Sequence, residues 1–338
     1  MNTLNISSRR SLKSKHGPVV SILRSLHKWP LILPIIIFSA MFVVMISLMG
    51  NSLSVDLLTS ILQTTLPLII VALGQTLVIL IGGIDLGVGG IMSLSTALLA
   101  TQMTQNQNMA FWIPGVLVLG FVIGFLDGYV IVKTGIQPFI VTMAMWTILS
   151  GIALKVLPSQ GGSVSPALIN FAYSSFLELN SSFWIVVVII ITWIIIKRTR
   201  FGVSVYATGS SETAAGLNGL NVGRTKIWVY AISGLCAAVA GIYFAALTNS
   251  GSSIAGDPFI MRSVAAVVIG GTSLVGGRGN FLGTILGALI LSFITLITFF
   301  AGAQSAYAQL FQGIMLIAAM IIYSSVTILT HQFQLREG

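Results

Sequence analysis

Long apolar runs separated by short polar breaks divide this chain into ten candidate helical spans. They lie at approximately 30–48, 57–81, 90–103, 111–132, 138–157, 182–197, 226–248, 259–275, 281–301 and 307–329. A bilayer core needs about 20 apolar residues per helix. The third, sixth and eighth runs are shorter than that, and two of these three adjoin a repeated glycine motif. Broken or tilted segments fit such runs better than simple spans. The expected fold class is an all-α polytopic membrane protein of about ten transmembrane helices, with an internal pseudo-repeat and glycine-broken segments.

The repeat is visible in the residues. The first copy reads Gly82-Gly83-Ile84-Asp85-Leu86-Gly87-Val88-Gly89-Gly90, and the second reads Gly270-Gly271-Thr272-Ser273-Leu274-Val275-Gly276-Gly277. An offset of 188 aligns Gly82 with Gly270, Gly83 with Gly271, Leu86 with Leu274 and Gly89 with Gly277. Glycine clusters break helices, and unwound backbone at membrane depth survives only against protein or a water-lined path. Paired interruptions in corresponding halves point to a translocation pathway. Whether 82–90 and 270–279 are re-entrant is left open by the sequence.

Composition agrees with a membrane protein. Charged residues make up 7% of the chain and hydrophobic residues 56%, against roughly 25% charged in soluble domains. The net charge of +9 is distributed as topology rather than as a nucleic-acid surface. Arg9, Arg10, Lys13, Lys15, Arg24 and Lys28 precede the first span, and Lys197, Arg198, Arg200, Arg224 and Lys226 bracket the loop after the sixth. Basic loops stay cytoplasmic, so both termini and the 198–225 loop are expected inside, with Asp56, Glu178 and Asp257 outside. The organisation is then a basic cytoplasmic segment at 1–29, a transmembrane domain at 30–329 and a cytoplasmic tail at 330–338. The first apolar stretch reads as a retained span rather than a cleaved leader. The lone Cys236 excludes an internal disulfide, and His16, His27 and His331 form no metal-ligand cluster.

No chemical engine is encoded. The chain has no G-x-x-x-x-G-K-[ST] phosphate loop, no H-E-x-x-H, no G-x-S-x-G and no carboxylate pair placed for acid–base work. The 198–225 loop instead predicts a short helix outside the bilayer. Ser210 or Ser211 is a suitable N-cap, Glu212 complements the positive helix end, Ala214 and Ala215 favour helix, and Gly219 is a natural stop.

Taken together, four motifs resemble the permease subunits of ATP-binding-cassette importers of the ribose-type sugar family (ribose, xylose, arabinose, autoinducer-2). They are GGIDLGVGG at 82–90, QPFIVT at 137–142, Glu212-x-Ala214-Ala215-x-x-x-Gly219, and GGTSLVGGRG at 270–279, with ISGLCAAVAGI at 232–242 beside them. The resemblance implies half of a solute pathway in a bacterial inner membrane. It also implies an identical or related second permease subunit, two cytoplasmic ATPase subunits and a periplasmic or lipoprotein solute-binding protein. No cofactor would bind directly, since ATP and Mg²⁺ belong to the ATPases. Ser211, Glu212, Ala214, Ala215 and Gly219 would form the coupling helix that docks on an ATPase.

The pathway or gating candidates are Gly82, Gly83, Asp85, Phe139, Phe259, Arg262, Gly270, Gly271 and Ser273. A charge at the bilayer centre costs roughly 2.5–3.5 kcal/mol on insertion scales, so Asp85 requires a partner. It either contacts substrate or a gate, or accepts backbone N–H bonds in its glycine turn, as Ser273 would in the second copy. Asp127, close in sequence to Lys133, reads as an interfacial charge. Arg262 stands where many family members carry an acidic residue, and it either faces the external mouth or snorkels outward. The competing class is an ion-coupled carrier using Asp85 or Asp127.

Overall fold

The computed structural model describes residues 31–48, 54–103 and 109–302, together with 304, 307, 310–314, 317 and 321. The expected 1–29 segment and 330–338 tail lie outside these residues, as does most of the tenth span.

Among the described residues twelve helices and one small hairpin follow in order. They are α1 Ile32–Leu48, α2 Val55–Leu80, α3 Gly87–Gln102, α4 Met109–Thr134, α5 Pro138–Val156, α6 Pro166–Tyr173, β1 Ser175–Phe176, β2 Leu179–Asn180, α7 Ser181–Arg198, α8 Arg200–Ser210, α9 Glu212–Leu217, α10 Val222–Thr248, α11 Asp257–Ile269 and α12 Phe281–Phe300. Among the described residues α2, α4, α5, α7, α10 and α12 are long and apolar enough to cross a membrane. The fold is therefore all-α and multi-pass. Of the three runs read as short in sequence, the third and eighth fold as α3, with 16 residues, and α11, with 13, whereas the sixth folds as the 18-residue α7.

Local chemistry sets the helix ends. Ser54 accepts from the Leu57 amide at the start of α2, Thr199 caps α8, Asn221 caps α10 and Asn280 caps α12. These side chains satisfy amides that have no partner within the helix.

α2 is buried continuously from Thr65 to Leu80, and α10 packs against it, α3 and α4. The α4–α10 contact depends on small residues. Gly120, Gly124 and Gly128 recur every fourth position on α4, and a Cβ on Gly124 would strike the Tyr230 carbonyl while one on Gly234 would strike the Gly120 carbonyl. Such close backbone approach supplies the van der Waals contact that drives association where lipid offers no hydrophobic contrast. The opposite faces of α4, α5 and α7 expose Val118, Val122, Ile148, Ile152, Val188 and Ile195, as lipid-facing surfaces do.

Asp257 is half-buried against α5. Gly251 packs beside Thr96 and Ala100, but Gly256 lies against Gly89, so the segment between them doubles back along α3. The eleven residues from Ala100 to Gly89 correspond to about 16 Å of helix. The Gly256 amide bonds Ser93 at 2.9 Å, and Asp257 accepts from Trp146 Nε1 of α5 at 2.9 Å. Hydrogen bonds to two helices outweigh the general tendency of a loop carboxylate to face solvent.

Candidate functional site

Both glycine motifs fold as the same helix terminator. α2 ends with Gly82 at φ 78°; the Gly82 amide bonds Ile79 O and the Gly83 amide bonds Val78 O, each at 2.9 Å. α11 ends with Gly271 at φ 85°, its amide bonding Val268 O at 2.9 Å while the Thr272 amide bonds Val267 O at 3.1 Å. These paired bonds consume carbonyls that the helix end leaves unsatisfied, and they require a left-handed residue that glycine supplies without strain. The structural partner of Gly82 is thus Gly271, one residue away from the sequence pairing with Gly270. Gly270 has another task, since a Cβ there would meet the Gly283 backbone of α12. One residue fewer between the left-handed glycine and the next side chain restores the 188 offset. Asp85 Oδ1 accepts from the Gly87 amide at 2.9 Å, and Ser273 Oγ accepts from the Val275 amide at 3.3 Å. Two different side chains make the same local bond.

α9 terminates in the same way at its far end. Ser211 Oγ accepts from the Ala214 amide at 3.2 Å. Gly219 takes φ 78°, with its amide on Gly216 O at 3.0 Å and the Leu220 amide on Ala215 O at 3.1 Å. Glu212, in the first turn, forms a 2.6 Å ion pair with Lys226 of α10. Ala215 is buried, whereas Leu217 is largely exposed.

The preceding helix α8 brings these distant motifs together. Tyr206 Oη donates to the Gly279 carbonyl at 2.8 Å, and burial pushes its phenol up to about 12. A Cβ on Gly209 would fall on the Leu80 carbonyl and lie 2.6 Å from the Gly277 amide nitrogen. The Gly277 amide itself donates to Leu80 O at 2.8 Å. One small volume therefore holds the end of α2, the second glycine loop and α8. Beside it, Trp193 Nε1 of α7 bonds Asn280 Oδ1 at 3.1 Å. Leu80, Tyr206, Gly209 and Asn280 were not identified as site residues from sequence. Only Gly209, a glycine inside a helical run, carried a local signal.

Asp85 lies deeper, at 2% exposure. Its Oδ2 accepts from Ser233 Oγ of α10 at 2.7 Å. With its amide oriented to satisfy both groups, Gln75 donates to the Asp85 carbonyl at 3.1 Å and accepts from the Asp85 amide at 3.2 Å. The next amide, Leu86, bonds Thr142 Oγ1 of α5 at 3.1 Å. Asp127 is not an interfacial charge: it is 1% exposed, and its carboxylate approaches that of Asp85 across Gly87. Lys133, expected beside it, is exposed on the last turn of α4.

The remaining candidates do not join this cluster. Phe139 is 45% exposed on α5. Phe259 is 8% exposed and packs edge-on against Phe244 with ring centres 5.5 Å apart. Arg262 donates from Nε to Gln312 Oε1 at 3.1 Å and from Nη2 to Thr295 Oγ1 at 3.0 Å. Its guanidinium is thus engaged by Thr295 of α12 and by Gln312.

Among the described residues no three His, Cys, Asp or Glu side chains gather as a metal site. A groove of about 560 Å³ between α2, α7 and α10 is lined by Ile70, Leu73, Ile185, Val188, Leu235 and Val239, with few polar atoms. Such a lining suits an acyl chain better than a hydroxyl-rich solute.

Residues 57–320 match a family model described as branched-chain amino acid transport system / permease component. The ribose import permease protein RbsC of Escherichia coli (strain K12) is 34% identical over 284 residues, covering 82% of this chain and 88% of the relative. RbsC of Bacillus subtilis (strain 168) is 33% identical over 257 residues, covering 75% and 80%. The fructose import permease protein FrcC of Rhizobium meliloti is 34% identical over 310 residues, covering 88% and 86%. No solved structure matches the chain.

Proposed function

The chain belongs to this family of ATP-binding-cassette importer permeases, and from that premise we propose how it works. The family assignment removes the ion-coupled carrier reading. The subunit forms half of a pathway for a sugar or sugar-like solute and pairs with a second permease subunit, identical or related. The apolar lining of the large groove within a single chain supports a pathway shared between two. Two cytoplasmic ATPase subunits bind ATP and Mg²⁺, so the permease itself binds no cofactor. A periplasmic or lipoprotein solute-binding protein delivers the substrate. About ten spans cross a bacterial inner membrane with both termini inside, and the matched glycine terminators support a reading as two related halves.

The observation that carries the proposal is the junction of α8 with both glycine motifs. α9 is the element that an ATPase engages, through Ser211, Glu212, Ala214, Ala215 and Gly219. Caps at both ends and the Lys226 ion pair let so short a helix transmit a push rather than unravel. The push passes to α8, whose Gly209 and Tyr206 contact Leu80 and the 276–280 loop. Those contacts reach the ends of α2 and α11 and the start of α12, where Gly82, Gly83, Asp85, Gly270, Gly271 and Ser273 serve as gate pivots. Phe139, Phe259 and Arg262 are pathway residues in this scheme.

Gly219→Leu and Glu212→Lys test the docking step. A non-glycine residue in the left-handed region costs about 1–2 kcal/mol, enough to loosen the end of α9. Both variants should lower ATPase co-purification and uptake of labelled ribose or fructose. Normal assembly and uptake in both would overturn the assignment of α9.

A further inference from the structure

Asp85, a pivot in the transport scheme, and Asp127, which that scheme leaves without a role, form an electrostatic pair. Among the described residues they are the only charged side chains in the buried set. A Cβ on Gly87 would lie 3.1 Å from Asp127 Oδ2 and 3.1 Å from Asp85 Oδ1, so the two carboxyls are close neighbours. Among the described residues no lysine or arginine is buried with them. Two adjacent carboxylates held away from water do not both stay ionised without a compensating positive charge.

Their surroundings distinguish the two acids. Asp85 has two donors, the Gly87 amide and Ser233 Oγ. Asp127 Oδ1 is buried without a hydrogen-bond partner, and so is the Tyr230 hydroxyl. Tyr230 is 0% exposed, its backbone packs on Gly124 of the helix that carries Asp127, and its hydroxyl lies against Gly83 in the turn that carries Asp85. The polar groups facing the pair are therefore Gln75 from α2, the Gly87 amide from α3, Thr142 from α5, and Tyr230 and Ser233 from α10. None supplies a positive charge. From this geometry we propose that Asp85 and Asp127 constitute a proton-binding site, with one proton resident on Asp127 and the negative charge on Asp85. The proton lets α4 approach the first glycine turn. Its loss would place like charges across Gly87 and push the turn away from α4. This site is independent of the ATPase-docking assignment and would survive its failure.

The test is infrared spectroscopy of the full-length transporter complex in lipid nanodiscs, reading the carboxylic-acid C=O band that shifts on exchange into D₂O. An ordinary aspartate, with a pKa near 3.9, shows no such band at neutral pH. The wild type should show it at pH 7. Asp127→Asn should remove it, because the protonated acid is gone while the Asp85 carboxylate keeps its two donors and stays ionised. Asp85→Asn should retain it, because Asp127 still has no donor to stabilise its charge. Size-exclusion chromatography of each variant establishes that it is folded, and the wild-type band decides the matter even if a variant is not. Absence of the band in wild type at pH 7 overturns the proposal. So does a band lost in Asp85→Asn but kept in Asp127→Asn. A band that appears only after sodium and potassium are removed would overturn it in favour of a metal cation.

Discussion

The two glycine turns share one backbone design and differ in what holds them. The first is tied into the buried interior: Gln75 holds the Asp85 backbone, Ser233 the carboxylate and Thr142 the next amide. The second is tied to α8 and to the end of α7, through Tyr206 on Gly279 and Trp193 on Asn280. The bond from the Gly277 amide to Leu80 O joins the two turns. In the proposed mechanism the same helix terminator serves as an anchored pivot in one place and a driven loop in the other. The role comes from the side chains that grip each turn.

Substitutions can break this contrast, and the largest effect is expected at the shared junction. Gly209→Val places branched carbon on the Leu80 carbonyl and the Gly277 amide, and overpacking of this kind costs about 1–3 kcal/mol or more. Uptake should be nearly abolished while the ATPase still co-purifies. The next effect separates the pivots. Ser233→Ala strips a donor from the buried Asp85 carboxylate and should cost about 2 kcal/mol, whereas Ser273→Ala, losing a 3.3 Å bond in the loop, should cost about 0.5–1 kcal/mol. Thermal unfolding in detergent reads both, and equal losses would erase the distinction between anchored and driven turns. Gly82→Ala comes third. It meets ordinary contact at Val275 O, 3.5 Å away, so only its left-handed backbone penalises it, by about 1–2 kcal/mol. Gly83→Ala should be worse, because its Cβ would collide with the Tyr230 hydroxyl. Tyr206→Phe should be comparably mild, at about 1 kcal/mol for one hydrogen bond. Burial disfavours the phenolate and holds Tyr206 near 12, so its hydroxyl keeps its proton below that value. The deficit should therefore be the same at pH 6 and pH 9.

What was legible in the sequence was local. Ser211, Glu212 and Gly219 predicted the helix that forms as α9, because capping and left-handed turns are decided within a few residues. The end of α2 at Gly82 was legible for the same reason. Contacts between segments far apart in sequence were not. Asp127 read as an interfacial charge because its neighbours Gly87 and Tyr230 lie on other helices. Nothing near Asp257 in sequence announces its bond from Trp146 of α5. The pairing of Gly82 with Gly270 followed residue identity, whereas the backbone pairs Gly82 with Gly271 because Gly270 is needed against Gly283.

The central claim is that α8 carries movement from α9 to both turns. Uptake per ATP hydrolysed, measured in proteoliposomes for wild type, Gly209→Val and Gly219→Leu, tests it most directly. The expected result is that Gly209→Val keeps its bound ATPase and continues to hydrolyse ATP with little uptake, while Gly219→Leu loses the ATPase itself. Wild-type uptake per ATP in Gly209→Val would contradict the account.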